Sequence, residues 1–175
     1  MDLAGEEDYA HTFREEFQQR GYSLWLPPTV AHELLHASET KSDPDAALAR
    51  SALAQLLDWQ IFPIGLSSLD VGIAEVFARN LIFARLLPPE EQNDGLILAE
   101  SSLAMIPVLV SSDHHLLDIP EDRLLVCFND ADLLPVRVAH PKGLLSRSIV
   151  REFARCGTSR IRQSPGPRRR AAIES

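Results

Sequence analysis

Two histidines and a glutamate in the stretch "AHELLHAS" have the types and the spacing for metal chemistry. His32, Glu33 and His36 form the pattern H-E-x-x-H on a predicted helix. On a helix, two histidines four residues apart lie on one face, where they can bind zinc while the glutamate acts as general base. The pattern therefore raises the hypothesis of a zinc metalloprotease.

A zinc protease also needs a third protein ligand, and the sequence offers little for that position. In the extended form of the pattern, Glu39 and Ser42 stand where glycine and histidine are required. Glu75 is the remaining candidate, in an otherwise apolar segment. The sequence thus favours solvent-facing positions for His32 and His36, and the zinc protease is the weaker alternative.

Three carboxylates point to a different metal. Asp113 ends the apolar run "PVLVSSD", Asp94 lies near the start of a helix, and Glu33 borders the apolar face of the helix after "YSLWL". Taken singly, each has a plain interpretation: an N-cap for Asp113, a favourable helix-dipole position for Asp94, and solvent exposure for Glu33. Together, oxygen ligands of this kind favour Mg²⁺ or Mn²⁺ over zinc.

The elements that would position these acids alternate between short apolar runs and helices. The runs predicted as strands are "YSLWL", "IFPIGL", "PVLVSSD", "RLLVCF" and "PVRVAH". Continuous apolar strands separated by helices are typical of a parallel sheet covered on both faces. The pattern predicts an α/β three-layer fold with a parallel β-sheet flanked by helices, and such folds place their sites at the carboxyl ends of the strands.

Helix signals occur at regular intervals. The predicted helices are residues 29–39, a helix from the N-cap Asp43 with Pro44 to Trp59, a helix from a capping box of Ser67 and Asp70 to Leu87, a helix within "EEQNDGLILAESSLAM", and a short turn at "HHLL". Together with the strands, they fill the chain up to about residue 150.

Three of these segments resemble the PIN domain, the metal-dependent nuclease family that includes VapC-type toxins. "LPPTVAHEL" resembles the strand-to-helix segment that carries the family's glutamate. "PPEEQNDGLILAESSLAMIPVLVSSDHHLL" resembles its pair of an Asp opening a helix and a strand ending in T/S-x-D, and the resemblance extends over roughly residues 24–129. It implies metal-site roles for Glu33, Asp94 and Asp113, with Asn93 and Ser111 in support.

The resemblance also implies an activity and partners. The expected protein is a Mg²⁺-dependent (or Mn²⁺-dependent) endoribonuclease, the toxin of a type II toxin–antitoxin pair. RNA would be its substrate and a cognate antitoxin protein its partner. A homodimer is left open.

One departure from the family concerns a fourth acid, an Asp that ends the family's first strand. The chain begins "MDLAGEEDYA", which resembles the family's segment just after that strand. The PIN-like fold is therefore expected with its first strand missing or truncated, leaving a gap in the sheet. Asp2 and Asp8 are substitutes only in principle. A catalytically inactive PIN remnant acting as a partner-binding module is the alternative function.

Charge and composition divide the chain in two. Residues 1–150 carry ten basic and 23 acidic residues, a net charge of −13, and form the predicted nuclease domain. Residues 151–175 carry seven Arg and two Glu and form a basic tail, partly disordered, that either contacts RNA or is simply solvated. The sequence predicts neither a membrane span nor a signal peptide, and two cysteines, Cys127 and Cys156, fit a reducing cytoplasm.

Overall fold

The structure, a computed structural model, describes residues 14–17 and 19–145. Residues 14–17 are helical. The later elements are α1 (Pro28–Thr40), α2 (Asp45–Asp58), α3 (Ser68–Phe83), α4 (Gln92–Leu103), β1 (Val108–Val110), α5 (His114–Leu117), α6 (Glu121–Asp130), β2 (Arg137–Ala139) and α7 (Pro141–Leu145).

The predicted three-layer α/β fold of PIN type is wrong. About 60% of the described residues are helical and only 6% lie in strands. β1 and β2 pair in parallel as a two-stranded sheet, with Leu109 opposite Val138. Elsewhere in the described chain, strand pairing is limited to an isolated parallel bridge between Leu26 and Pro63. The molecule is therefore mostly helical.

The segment "RLLVCF" shows why the strand content was overestimated. It lies inside α6, where Leu124 and Phe128 are buried one helical turn apart while Val126 between them is exposed. Glu121 and Asp122 supply negative charge in the first turn, which the helix dipole favours. An apolar run of this length does not distinguish a strand from a helix by periodicity alone.

One predicted helix boundary is confirmed and two others move. Ser67 and Asp70 form the expected capping box, in which the Ser67 hydroxyl accepts from the Asp70 N–H and the Asp70 carboxylate accepts from the Ser67 N–H. α3 nevertheless ends at Phe83 rather than Leu87. α2 begins at Asp45 with Pro44 in the N-cap position, so Asp43 is not its cap.

Four helices end in the same way. Gln60, Arg85, Met105 and Asp132 come after α2, α3, α4 and α6, and each has a left-handed backbone with φ between 55° and 57°. Beyond each of them, an N–H donates back to a carbonyl in the last turn, as from Leu86 to Leu81 at 2.9 Å. This is the Schellman termination, which usually places glycine at the left-handed position.

The core lies where α3 and α4 pack together and meet α6. Phe77 of α3 stacks on Phe128 of α6 with ring centroids 4.8 Å apart. Leu81 and Leu98 are fully buried in the same cluster. No helix among the described residues has both the length and the apolar character needed to cross a membrane.

Gly95 sets the distance between α4 and α3. A Cβ at this position would lie 2.8 Å from both the Cα and the Cβ of Ala78. Real Cβ atoms do not come that close to a backbone atom, so a larger residue would push the two helices apart.

We therefore expect Gly95→Ala to destabilise the protein by about 1–3 kcal/mol, the usual cost of overpacking a close contact. Urea denaturation followed by circular dichroism measures this free energy of unfolding. Gly72→Ala is the matched control in α3, since a Cβ there meets no atom within 4 Å. It should stabilise the helix by about 0.5–1 kcal/mol. Equal effects of the two substitutions would contradict this account.

Candidate metal centre

Glu33, Asp94 and Asp113 come from three separate elements and line one cavity of about 350 Å³. Glu33 lies in α1, directly after the extended segment that ends at Leu26. Asp94 is in the first turn of α4, and Asp113 lies three residues after β1. Ser111 lines the same cavity. The acids that the sequence singled out are thus brought together around a shared space.

Asp94 is the most unusual of the three. Its residue is only 7% exposed, and its Oδ2 atom is buried without a hydrogen-bond partner among the described residues. Burial, together with the negative charge of Asp113, raises the pKa of Asp94 to about 6. A buried carboxylate oxygen without a partner is costly, and a bound cation would remove that cost.

Glu33 is exposed but is held in place by the helix that carries Asp94. The side-chain amide of Asn93 donates to Glu33 Oε1 at 2.5 Å. Asn93 and Asp94 are adjacent in α4, so this bond ties Glu33 to the element bearing the buried acid. Asn93 therefore positions Glu33 at the rim of the cavity.

Asp113 has the plain role foreseen for it and lines the cavity as well. It is the N-cap of α5, where its Oδ1 accepts from the His115 N–H at 2.8 Å. The hydroxyl of Ser111 accepts from the Asp113 N–H at 3.0 Å and so fixes the turn after β1. Capping uses one carboxylate oxygen, and the second remains available.

Another buried acid, Glu100, holds α1 against α4. It is 6% exposed, and its two carboxylate oxygens accept from the Thr29 hydroxyl at 2.6 Å and from the Thr29 N–H at 3.1 Å. Burial raises the pKa of Glu100 despite these bonds. This contact was not predicted, since a Thr at a helix start and a Glu 71 residues later leave no local signal.

Two further residues border the site. His115 Nε2 lies 3.7 Å from Glu91 Oε1, and both groups act electrostatically on Asp94. The side chain of His115 is about one-third exposed. The proximity of Glu91 to Asp94 in the sequence was the available signal for Glu91.

The possible metal-ligand atoms around the cavity do not all lie close to one another. In the described part of the chain, the group whose donor atoms all lie within 4.8 Å of one another is Asp113, His114 and His115. His114 in that group is 76% exposed. The buried, unpaired oxygen belongs instead to Asp94. Glu33, Asp94 and Asp113 therefore line one cavity, but their ligand atoms do not all lie within 4.8 Å of one another.

The H-E-x-x-H pattern gains no third ligand. His32 and His36 are both exposed on α1, and neither belongs to a group of three potential metal ligands among the described residues. The Glu33 of this pattern bonds with Asn93 on the cavity side. The geometry thus gives no support to the zinc protease alternative.

Some of the sequence-based expectations lie outside the described residues. These are Asp2 and Asp8 as substitute acids, Cys156, and the disorder of the basic tail.

Comparison with known protein families, curated proteins and solved structures finds no match to this chain.

The raised pKa of Asp94 predicts a pH-dependent stability in a chelating buffer. The folded state holds this proton more tightly than the unfolded chain, so the free energy of unfolding should fall as pH rises from about 4 to about 7. Asp94→Asn removes this contribution and should be more stable than the parent by about 1–2 kcal/mol at pH 8. The difference should vanish near pH 4.

Urea titrations of both proteins at several pH values measure this difference. Glu100 also has a raised pKa, but it is present in both proteins and cancels in the comparison. Glu39→Gln, which changes an exposed acid of α1 away from the cavity, is the control and should leave the profile unchanged. Identical pH profiles for the parent and Asp94→Asn would show that the burial of Asp94 does not destabilise the folded state.

Proposed function

We propose that this chain is a metal-dependent endoribonuclease in which Glu33, Asp94 and Asp113 hold Mg²⁺ or Mn²⁺. The observation that carries the proposal is Asp94, a buried carboxylate with an unpaired oxygen in the cavity that Glu33 and Asp113 also line. A buried acid without a partner is better explained by a cation ligand than by packing or capping.

The chemistry of the donor set supports a hard divalent cation. Carboxylates around one cavity repel each other, and the raised pKa of Asp94 reflects burial first and this repulsion second. When bound, such a cation supplies an activated water and charge stabilisation for phosphodiester hydrolysis.

The other residues of the cavity act on these acids. Asn93 orients Glu33 by donating to its Oε1 atom, and Ser111 fixes the turn that presents Asp113. Glu100 holds the first turn of α1 against α4 and so keeps Glu33 near Asp94. These contacts preorganise the ligands before a cation arrives.

The choice of RNA rests on the resemblance of three segments to PIN domains, and so do the roles of toxin and antitoxin. Two cysteines in a chain of 175 residues suit a reducing compartment, and we place the reaction in the cytoplasm. The basic residues 151–175 would add affinity for the phosphate backbone at low salt. The proposed cation site does not depend on RNA as substrate, on the toxin and antitoxin roles, on the compartment or on the basic residues.

Asp113→Asn and Asp94→Asn should each lower Mg²⁺-dependent cleavage of a mixed RNA pool by about 100-fold or more, since each loses a ligand charge. Both should retain the parental circular dichroism spectrum. Cleavage is measured on denaturing gels with Mg²⁺, with Mn²⁺ and with chelator. Glu39→Gln and His36→Ala are controls on α1 and should cleave like the parent.

The same assay separates the alternatives. Full activity in Asp113→Asn would refute the proposal. Absence of both cleavage and Mn²⁺ binding by the parent, measured by calorimetry, would instead favour an inactive module that binds a partner. Loss of activity in His36→Ala, together with one zinc ion bound tightly by the parent, would support the zinc protease alternative.

A further inference from the structure

Asp113, His114 and His115 follow one another at the start of α5 and bring three potential metal ligands to one place. One ligand atom from each side chain lies within 4.8 Å of the ligand atoms of the other two. Among the described residues, no other group of three histidine, cysteine, aspartate or glutamate side chains meets this condition. We call these three residues the histidine cluster.

The two imidazole rings of the cluster lie side by side, although neighbouring residues of an α-helix point about 100° apart. The ring centroids of His114 and His115 are 4.0 Å apart, with 38° between the ring planes. Asp113 is the N-cap of α5, and its Oδ1 accepts from the His115 N–H at 2.8 Å. This bond holds the carboxylate at the turn that carries both rings.

The nitrogen atoms of both rings are available to a ligand. Within the described part of the chain, neither imidazole donates or accepts a hydrogen bond. Instead, each ring has a carboxylate oxygen at 3.7 Å: Asp113 Oδ1 lies beside His114 Nδ1, and Glu91 Oε1 lies beside His115 Nε2. A neutral imidazole offers a lone pair, and the two carboxylates supply negative charge beside it. This environment favours a cation.

The distances within the cluster are close to those of a bound transition-metal ion. Zinc holds nitrogen and oxygen ligands at about 2.0–2.2 Å in a tetrahedron, so its ligand atoms lie about 3.3 Å apart. The separations in the cluster therefore have to shorten by about 1.5 Å at most. The side chains of His114 and Asp113 are 76% and 44% exposed, so rotation about their side-chain bonds can supply this movement.

The types of the ligand atoms select the kind of ion. Two imidazole nitrogens and one carboxylate oxygen suit a transition metal such as zinc, whereas Mg²⁺ prefers oxygen ligands alone. Three protein ligands also leave a fourth position for water, as in zinc sites that are open to solvent. The exposure of His114 places that position at the surface.

We propose that Asp113, His114 and His115 form a second cation site, which binds one Zn²⁺ ion and keeps one position open to solvent. The site requires neither Glu33 nor Asp94, so it goes beyond the proposed nuclease function. The two sites share Asp113, which also lines the cavity of the three acids. A carboxylate has two oxygens and can face an ion on each side.

His32 and His36 on α1 are the competing position for zinc. Their spacing suits zinc, but they belong to no group of three close ligand atoms among the described residues. The α1 pair thus offers two ligands where the histidine cluster offers three. Zinc should therefore bind at the cluster.

The test titrates the full chain with Zn²⁺ by calorimetry, in a buffer with excess Mg²⁺ to occupy sites made of oxygen ligands. His114→Ala and His115→Ala should each weaken zinc binding by about 100-fold or more. Loss of a residue that only orients a ligand already costs about 10–100-fold in affinity, and these variants lose the ligand itself. Circular dichroism should show the parental fold in both variants.

His36→Ala on α1 and Asp94→Asn in the cavity are the matched controls. Both should bind zinc like the parent, because neither residue belongs to the cluster. In the parent, Zn²⁺ should shift the ring-proton signals of His114 and His115 in the nuclear magnetic resonance spectrum, and those of His32 and His36 should stay in place.

Three results would overturn the proposal. They are parental zinc affinity in both cluster variants, a shift of the His32 and His36 signals in place of those of His114 and His115, and loss of zinc binding in Asp94→Asn. A separate titration with Mn²⁺ distinguishes this proposal from the nuclease. Zinc binding without Mn²⁺ binding by the parent would refute the three-acid site alone, and Mn²⁺ binding without zinc binding would refute the histidine cluster alone.

Discussion

The buried contact of Glu100 with Thr29 determines where α1 lies on α4, and the cavity depends on it. A second contact, from Asn93 to Glu33, joins the same two helices further along. The residue numbers rise on α1 while they fall on α4, so the helices run in opposite directions. Charge-assisted hydrogen bonds of this kind each contribute about 1.5–3 kcal/mol, which offsets part of the cost of burying Glu100. This contact fixes the first turn of α1, and the bond from Asn93 then positions Glu33 relative to Asp94.

The helices were largely predictable from the sequence, because capping and breaking residues act locally. Ser67 with Asp70 predicted the start of α3, and the prolines before Thr29 predicted the start of α1. The strands were not predictable from the sequence, because strand pairing depends on distant partners. Among the described residues, Leu26 forms an isolated bridge with Pro63, and "RLLVCF" buries a helical rather than a strand face. The three-layer prediction failed at these segments.

The candidate site shows the same contrast between features with a local signal and features that depend on distant residues. Glu33, Asp94 and Asp113 were singled out through the resemblance to PIN domains, and all three line one cavity. The burial of Asp94 could not be predicted, since it depends on the tertiary packing around α4. Glu100 was missed for a related reason: its partner is on another helix. Long-range packing decides which acids lose water, and no local pattern reports it.

The left-handed helix ends have a consequence for engineering the protein. Gln60, Arg85, Met105 and Asp132 each hold a side chain in a conformation that costs a non-glycine residue about 1–2 kcal/mol. None of the four lines the cavity that holds the carboxylates. A variant with glycine at all four would gain thermal tolerance from positions that do not line this cavity. Such a variant would be a more stable background in which to study those substitutions of the acids that destabilise the fold.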